Sequence, residues 1–123
     1  MPQTPRGPAA PIDMMTTACN LTKDQKKQFS TILDAASKSA AALRKQVPQA
    51  RLDVEAAAQA GKSPDEVKKL VEANGMVMAQ MTQLEMKTFG ELYNLLDADQ
   101  RKTGAQRLFN MMGGILMKKN WND

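Results

Sequence analysis

The chain has 123 residues, enough for one domain, with 42% hydrophobic residues, only 4% aromatic ones and a formal net charge of +4. Apolar content drawn mostly from alanine, methionine and leucine suits helix packed on helix, and the scarcity of β-branched and aromatic residues argues against a β-sandwich. With no histidine in the chain, Ser-His and Cys-His catalysis are excluded; basic residues dispersed in pairs argue against nucleic-acid binding, and no apolar run nears the about 20 residues that insert across a membrane.

Residues 1 to 18 read as a disordered lead. Pro2, Pro5, Pro8 and Pro11 recur every third residue, and proline removes backbone donors and resists helix formation, so an extended tether is expected. The start of the chain lacks the charged-then-apolar pattern of a secretory signal. The single cysteine, Cys19, cannot form an intrachain disulfide; it is a buried thiol, a mobile thiol near the terminus, or half of a bond between two copies.

The helical domain is expected over residues 19–117. Thr22 and Gln25 have the spacing of a capping box, so a helix should start there. Phe29, Ile32, Leu33, Ala36, Ala40, Leu43 and Val47 follow at helical spacing in a narrow arc that fits one neighbour. Pro48 is expected to break or kink this helix, which resumes through Leu52 and Val54 to Gly61. Ser63-Pro64-Asp65-Glu66 is a second start, with a serine cap and proline at the first helical position. The helix it opens should run to Leu96 with Val67, Leu70, Val71, Val77, Met81, Leu84, Leu92 and Leu95 along one stripe. Asp97 and Gln100 form a third cap and open a last helix carrying Leu108, Phe109, Met112, Ile115 and Leu116. A polar tail is expected over 118–123. The whole reads as all-α, about four helices in an extended, kinked hairpin. Large apolar side chains are few, so the core is thin and self-association is a natural remedy.

Leu21-Thr-Lys-Asp-Gln25 and Leu96-Asp-Ala-Asp-Gln100 open the first and last of these helices. Taken alone, each is a helix cap with a leucine staple before it. Together with Asn20-Leu-Thr-Lys-Asp-Gln-Lys-Lys-Gln-Phe29, Pro48 and Leu92-Tyr-Asn-Leu-Leu-Asp-Ala-Asp-Gln100, they resemble the Spy/CpxP family of periplasmic LTxxQ-motif proteins. The likeness covers about Asn20 to Met112 and is closest to the ATP-independent chaperone of that family. Asp97 departs from the family's threonine, but aspartate caps a helix equally well.

The resemblance implies a curved antiparallel homodimer in the periplasm, its signal peptide removed, acting as a holdase for unfolded or partly folded client proteins. It implies a concave binding face that works without nucleotide; from the residues alone, with no histidine and no phosphate-cradling P-loop, no enzymatic activity and no cofactor are expected. On the residues themselves, Met78, Met86, Phe89 and Tyr93 widen the apolar arc of the long helix beyond one seam, and methionine suits adaptable binding. They serve client binding or line a dimer seam. Arg44 and Arg51 flank Pro48 and are further client-binding candidates. Leu21, Thr22, Gln25, Leu96, Asp97 and Gln100 are the motif residues. The alternative within the family is an envelope-stress or heavy-metal-responsive regulator. Met76, Met78 and Met81, or Met14 and Met15 near Cys19, offer soft sulfur to Cu(I), but their place in the apolar arc accounts for Met78 and Met81 without metal, and no metal site is assigned.

Overall fold

Three helices begin at the cap signals read in the sequence. The structure is a computed structural model, and it describes residues 9–123. Thr22 Oγ1 accepts from the Gln25 amide at 3.1 Å while Gln25 Oε1 accepts from the Thr22 amide at 3.0 Å, opening α2 (Lys23–Gln59). Ser63 Oγ accepts from the Glu66 amide at 3.3 Å to open α3 (Pro64–Asn94), with Pro64 at its first position. Asp97 and Gln100 make a second reciprocal box at 2.8 and 2.9 Å, opening α4 (Ala98–Met112). Each cap fills amides that the first helical turn would otherwise leave unpaired.

The fold is all-helical, and no strand occurs among the described residues. Its four helices partition the chain differently from the expected four. α2 runs unbroken through Pro48. Proline costs a helix interior about 3 kcal/mol through one lost hydrogen bond and a clash one turn back, but Pro48 is exposed, which leaves the orphaned carbonyl on the wet side. The turns on both sides of it pack along α3, so tertiary contact holds the helix together.

The fourth helix is α1 (Pro11–Cys19), where an extended lead was expected. Residues 1–8 of that lead, with Pro2, Pro5 and Pro8, lie outside the described residues. Pro11 sits at the first helical turn, where its missing N–H is no loss. Ile12, Met15, Ala18 and Cys19 then bury one face at helical spacing. Asn20 ends the helix in the left-handed region at φ 53°, a conformation asparagine tolerates. The expected polar tail is also docked: the chain makes a 3-10 turn at Ile115–Met117 and then buries Trp121.

α2 and α3 form a long antiparallel hairpin, closed by a four-residue loop in which Gly61 takes φ 73°. α1, α4 and the C-terminal segment pack on the end of the hairpin near the termini. α4 crosses α1 at Gly104, where a Cβ would stand 2.8 Å from Cys19 Cα. The core gathers at this end: Met15, Phe29, Leu33, Leu92, Leu108, Met112 and Leu116 are fully buried. Between Ala40 and Met81 only Ala57 is buried. The far half of the hairpin is therefore two helices with no other described element laid across them.

Candidate interaction surface

Two features stand out from the scaffold: a polar lock joining the two leucine-led caps, and apolar side chains left in solvent. The lock sets the positions of the helices it joins. Gln25 and Gln100 bond each other through both side-chain amides, at 2.8 and 2.6 Å. The second hydrogen of each amide crosses to the other cap: Gln25 Nε2 donates to the Leu95 carbonyl at 2.9 Å, and Gln100 Nε2 to the Asn20 carbonyl at 3.0 Å. Leu21 and Leu96, one residue beyond those carbonyls, are both buried. The motif residues thus act as structure, tying the start of α2 to the start of α4.

The candidate binding residues divide into three groups. Met86, Phe89 and Tyr93 share one face of α3 by their spacing of three and four, and each is half-buried. α4 supplies Phe109 edge-on to Phe89, with ring centroids 5.4 Å apart at 90°, and Arg101, whose guanidinium lies 4.4 Å above the Tyr93 ring. Phe89 and Tyr93 also stand 5.7 Å apart. Such aromatic and cation–π contacts hold the patch in place. Phe109 is 44% exposed.

Met78 stands apart, eight residues before Met86 and so about 12 Å along the helix axis. It is 49% exposed, and Val71, Met76 and Leu52 near it are exposed as well. Arg51 is exposed on α2 in the same half of the hairpin. Arg44 is occupied: its Nη1 donates to the Leu116 carbonyl at 3.0 Å and to Ser37 Oγ at 3.3 Å.

Sequence reasoning named Phe109 and Leu52 only as helix residues, Val71 as part of an apolar stripe and Met76 only for its sulfur, and it did not single out Arg101. Arg101, Ala105 and Phe109 recur every fourth residue, a stripe that could have placed Arg101 and Phe109 on one face. Exposure of Leu52 and Val71 follows from which helices reach the far half of the hairpin, and no local pattern encodes that.

The candidate sulfur residues divide between core and surface. Met15 and Cys19 are in the core while Met14 is exposed; Met81 is buried while Met76 is 67% exposed. Burial pushes the Cys19 thiol above its usual pKa. No cluster of three His, Cys, Asp or Glu side chains suited to a metal occurs among the described residues. Met14 and Met111 instead line an open apolar groove of about 500 Å³ between α1 and α4, with Arg107 and Asn110 beside them.

One buried acid is notable. Glu85 is 6% exposed, and its Oε2 accepts from the Gly114 amide at 2.7 Å. Burial raises its pKa above the ordinary value, against the opposing pull of the Gly114 and Leu116 amides. Among the described residues the one ion pair is the exposed Lys26–Asp13 contact at 3.3 Å, so the surface charge is largely unpaired and open to solvent. No helix of the described residues is long and apolar enough to cross a membrane.

A family model described as LTXXQ motif family protein matches residues 9–108. No curated protein and no solved structure matches the chain.

Proposed function

The chain belongs to the LTXXQ motif family, and on that premise we propose that it is an ATP-independent holdase of the periplasm. Its ligands are unfolded or partly folded proteins, held on the apolar face of the hairpin. The observation that carries this reading is the far half of the hairpin, where Leu52, Val71, Met76 and Met78 are exposed. Large apolar side chains kept on a water-facing surface mark a site of association. Flexible methionines adapt to many partners. The Phe89–Tyr93–Phe109 patch adds rigid aromatic area on the other half. The net charge of +4 favours acidic clients through long-range attraction.

A homodimer is part of the proposal. Two hairpins laid antiparallel would cover some of the same apolar residues and curve the rest into a shared face. Met78 and Arg51 then belong to client binding or to its rim, and Arg44 acts from beneath the C-terminal segment.

The test is light scattering from a chemically denatured client diluted without ATP into near-stoichiometric protein. Suppression of aggregation is expected, weakened by Met78→Ser and Phe109→Ser at unchanged helicity. It should also weaken with added salt, because exposed charges are screened beyond about 8 Å at physiological ionic strength. No suppression of several unrelated clients by the folded protein would sink general chaperoning.

A further inference from the structure

The C-terminal segment 113–123 lies on the hairpin in a way that a foreign peptide could copy. Regular helix stops at Met112, and a glycine pair follows, with Gly114 at φ 81°, a conformation that suits glycine and leaves a hinge. Beyond it, Ile115, Leu116 and Trp121 are each buried. The polar attachments come from side chains of α2 and α3. Glu85 accepts the Gly114 N–H at 2.7 Å and Arg44 donates to the Leu116 carbonyl at 3.0 Å. Asp34 Oδ1 accepts the Trp121 indole N–H at 2.8 Å. The one bond made by a segment side chain to α1 runs from the Ile12 amide to Asn122 Oδ1 at 2.9 Å.

Glu85 and Arg44 therefore read backbone atoms, one N–H and the carbonyl two residues on. Any peptide in the same conformation presents both. The carboxylate is buried, and a buried carboxylate is costly without a hydrogen-bond donor. Here the bonded donor is a backbone amide of a segment whose helical structure is the single 3-10 turn at Ile115–Met117. The floor is also continuous with the open face. Met78, Met81 and Glu85 follow at spacings of three and four on α3, and exposure falls along them from 49% at Met78 to 4% at Met81.

We propose that the α2–α3 face under segment 113–123 is a second interaction surface, occupied at rest by the protein's own chain. It fits a client segment with two adjacent apolar residues and an aromatic ring about five residues later, the pattern of Ile115, Leu116 and Trp121. A client on the exposed far half extends along α3, lifts the segment at its glycine hinge and takes its place. The identity of the partner rests on the holdase reading; the detachability of the segment does not.

Trp121 is the only tryptophan, so its fluorescence reports the segment in the intact protein. In a urea titration the emission should shift to the red before far-UV helicity is lost. Arg44→Ala should move that first transition to lower urea and leave the helicity transition in place. Coincident transitions, or an Arg44→Ala change that moves both equally or neither, would show the segment to be ordinary core and overturn the proposal, whatever becomes of the holdase reading. The second arm uses reduced, carboxymethylated ribonuclease A, a tryptophan-free client, with binding followed by the anisotropy of a dye on the client. A red shift at saturation is expected. Binding with unchanged emission overturns the second surface and leaves the holdase reading standing. No binding by this or other unfolded clients removes the holdase reading and this surface's partner with it.

Discussion

The side chains of Gln25 and Gln100, 75 residues apart in sequence, form a closed amide pair with Nε2–Oε1 distances of 2.8 and 2.6 Å. Each oxygen also accepts from the amide of its own cap residue, Thr22 or Asp97. Each nitrogen also donates to a carbonyl before the other cap. Both side chains thereby use two donors and two acceptor positions, which is all that a primary amide has. One residue type closes two helix caps and fastens them to each other.

Gln100→Ala removes its own cap bond and leaves the Gln25 amide without its partner. With each neutral hydrogen bond contributing about 1 kcal/mol, a loss of about 2–3 kcal/mol is expected in urea unfolding. In a double-mutant cycle, Gln25→Ala and Gln100→Ala should couple by about 1 kcal/mol. Additive losses would show that the two amides cap their helices independently.

Glycines at different places should respond oppositely to alanine. At Gly90 and Gly75 an added Cβ meets nothing within 4 Å, so substitution should stabilise by about 0.5–1 kcal/mol through helix propensity. At Gly104 the same atom meets the Ala18 and Cys19 backbone, which cannot swing aside as a side chain would. Overpacking of about 1–3 kcal/mol then outweighs the propensity gain. Thermal melts of the three variants give the signs directly.

The raised pKa of Glu85 means that folding favours its neutral form. Its stabilising contribution is complete below the unfolded carboxyl pKa of 4.5 and is lost as pH rises through the higher folded value. Glu85→Gln keeps an acceptor for the Gly114 amide without a charge. The variant should melt above the parent at pH 7, and the gap should close as pH falls below the ordinary carboxyl range. A gap independent of pH would mean that Glu85 titrates as an exposed acid.

Cys19 is fully buried, with its sulfur 3.7 Å from the Gly104 carbonyl. A thiol both hidden and raised in pKa reacts slowly. It should resist Ellman's reagent in the native protein, react at once in denaturant, and form no disulfide-linked dimer on a non-reducing gel. Rapid reaction of the native protein would mean that α1 detaches readily.

The helix starts at Thr22, Ser63 and Asp97 were legible because a cap is a short-range event, complete within four residues. The apolar spacing along α2 and α3 was equally plain. Of the break or kink expected at Pro48, the break does not occur; its local penalty is real, but the packing that offsets it comes from α3, far along the chain. Pro11 misled for a related reason: the same ring that breaks a helix interior begins a helix well, and only the buried face of α1 shows which applies. Of the binding candidates, Met78 stands exposed and Phe89 and Tyr93 join an aromatic patch, whereas Arg44 holds the C-terminal segment.

By itself the sequence determined an all-α chain, three of its helix starts, the pairing of long helices into a hairpin and the family resemblance. Caps, glycines and apolar period act between near neighbours and need no knowledge of the rest of the chain. The tertiary structure decided that Gln25 meets Gln100, that α1 and Trp121 pack against the hairpin, that Glu85 is buried, and that Leu52, Val71, Met76 and Met78 are exposed. Each of these depends on which distant segments come to rest against one another. That is settled by closing loops of tens of residues over a shared apolar surface, and no local spacing records the outcome.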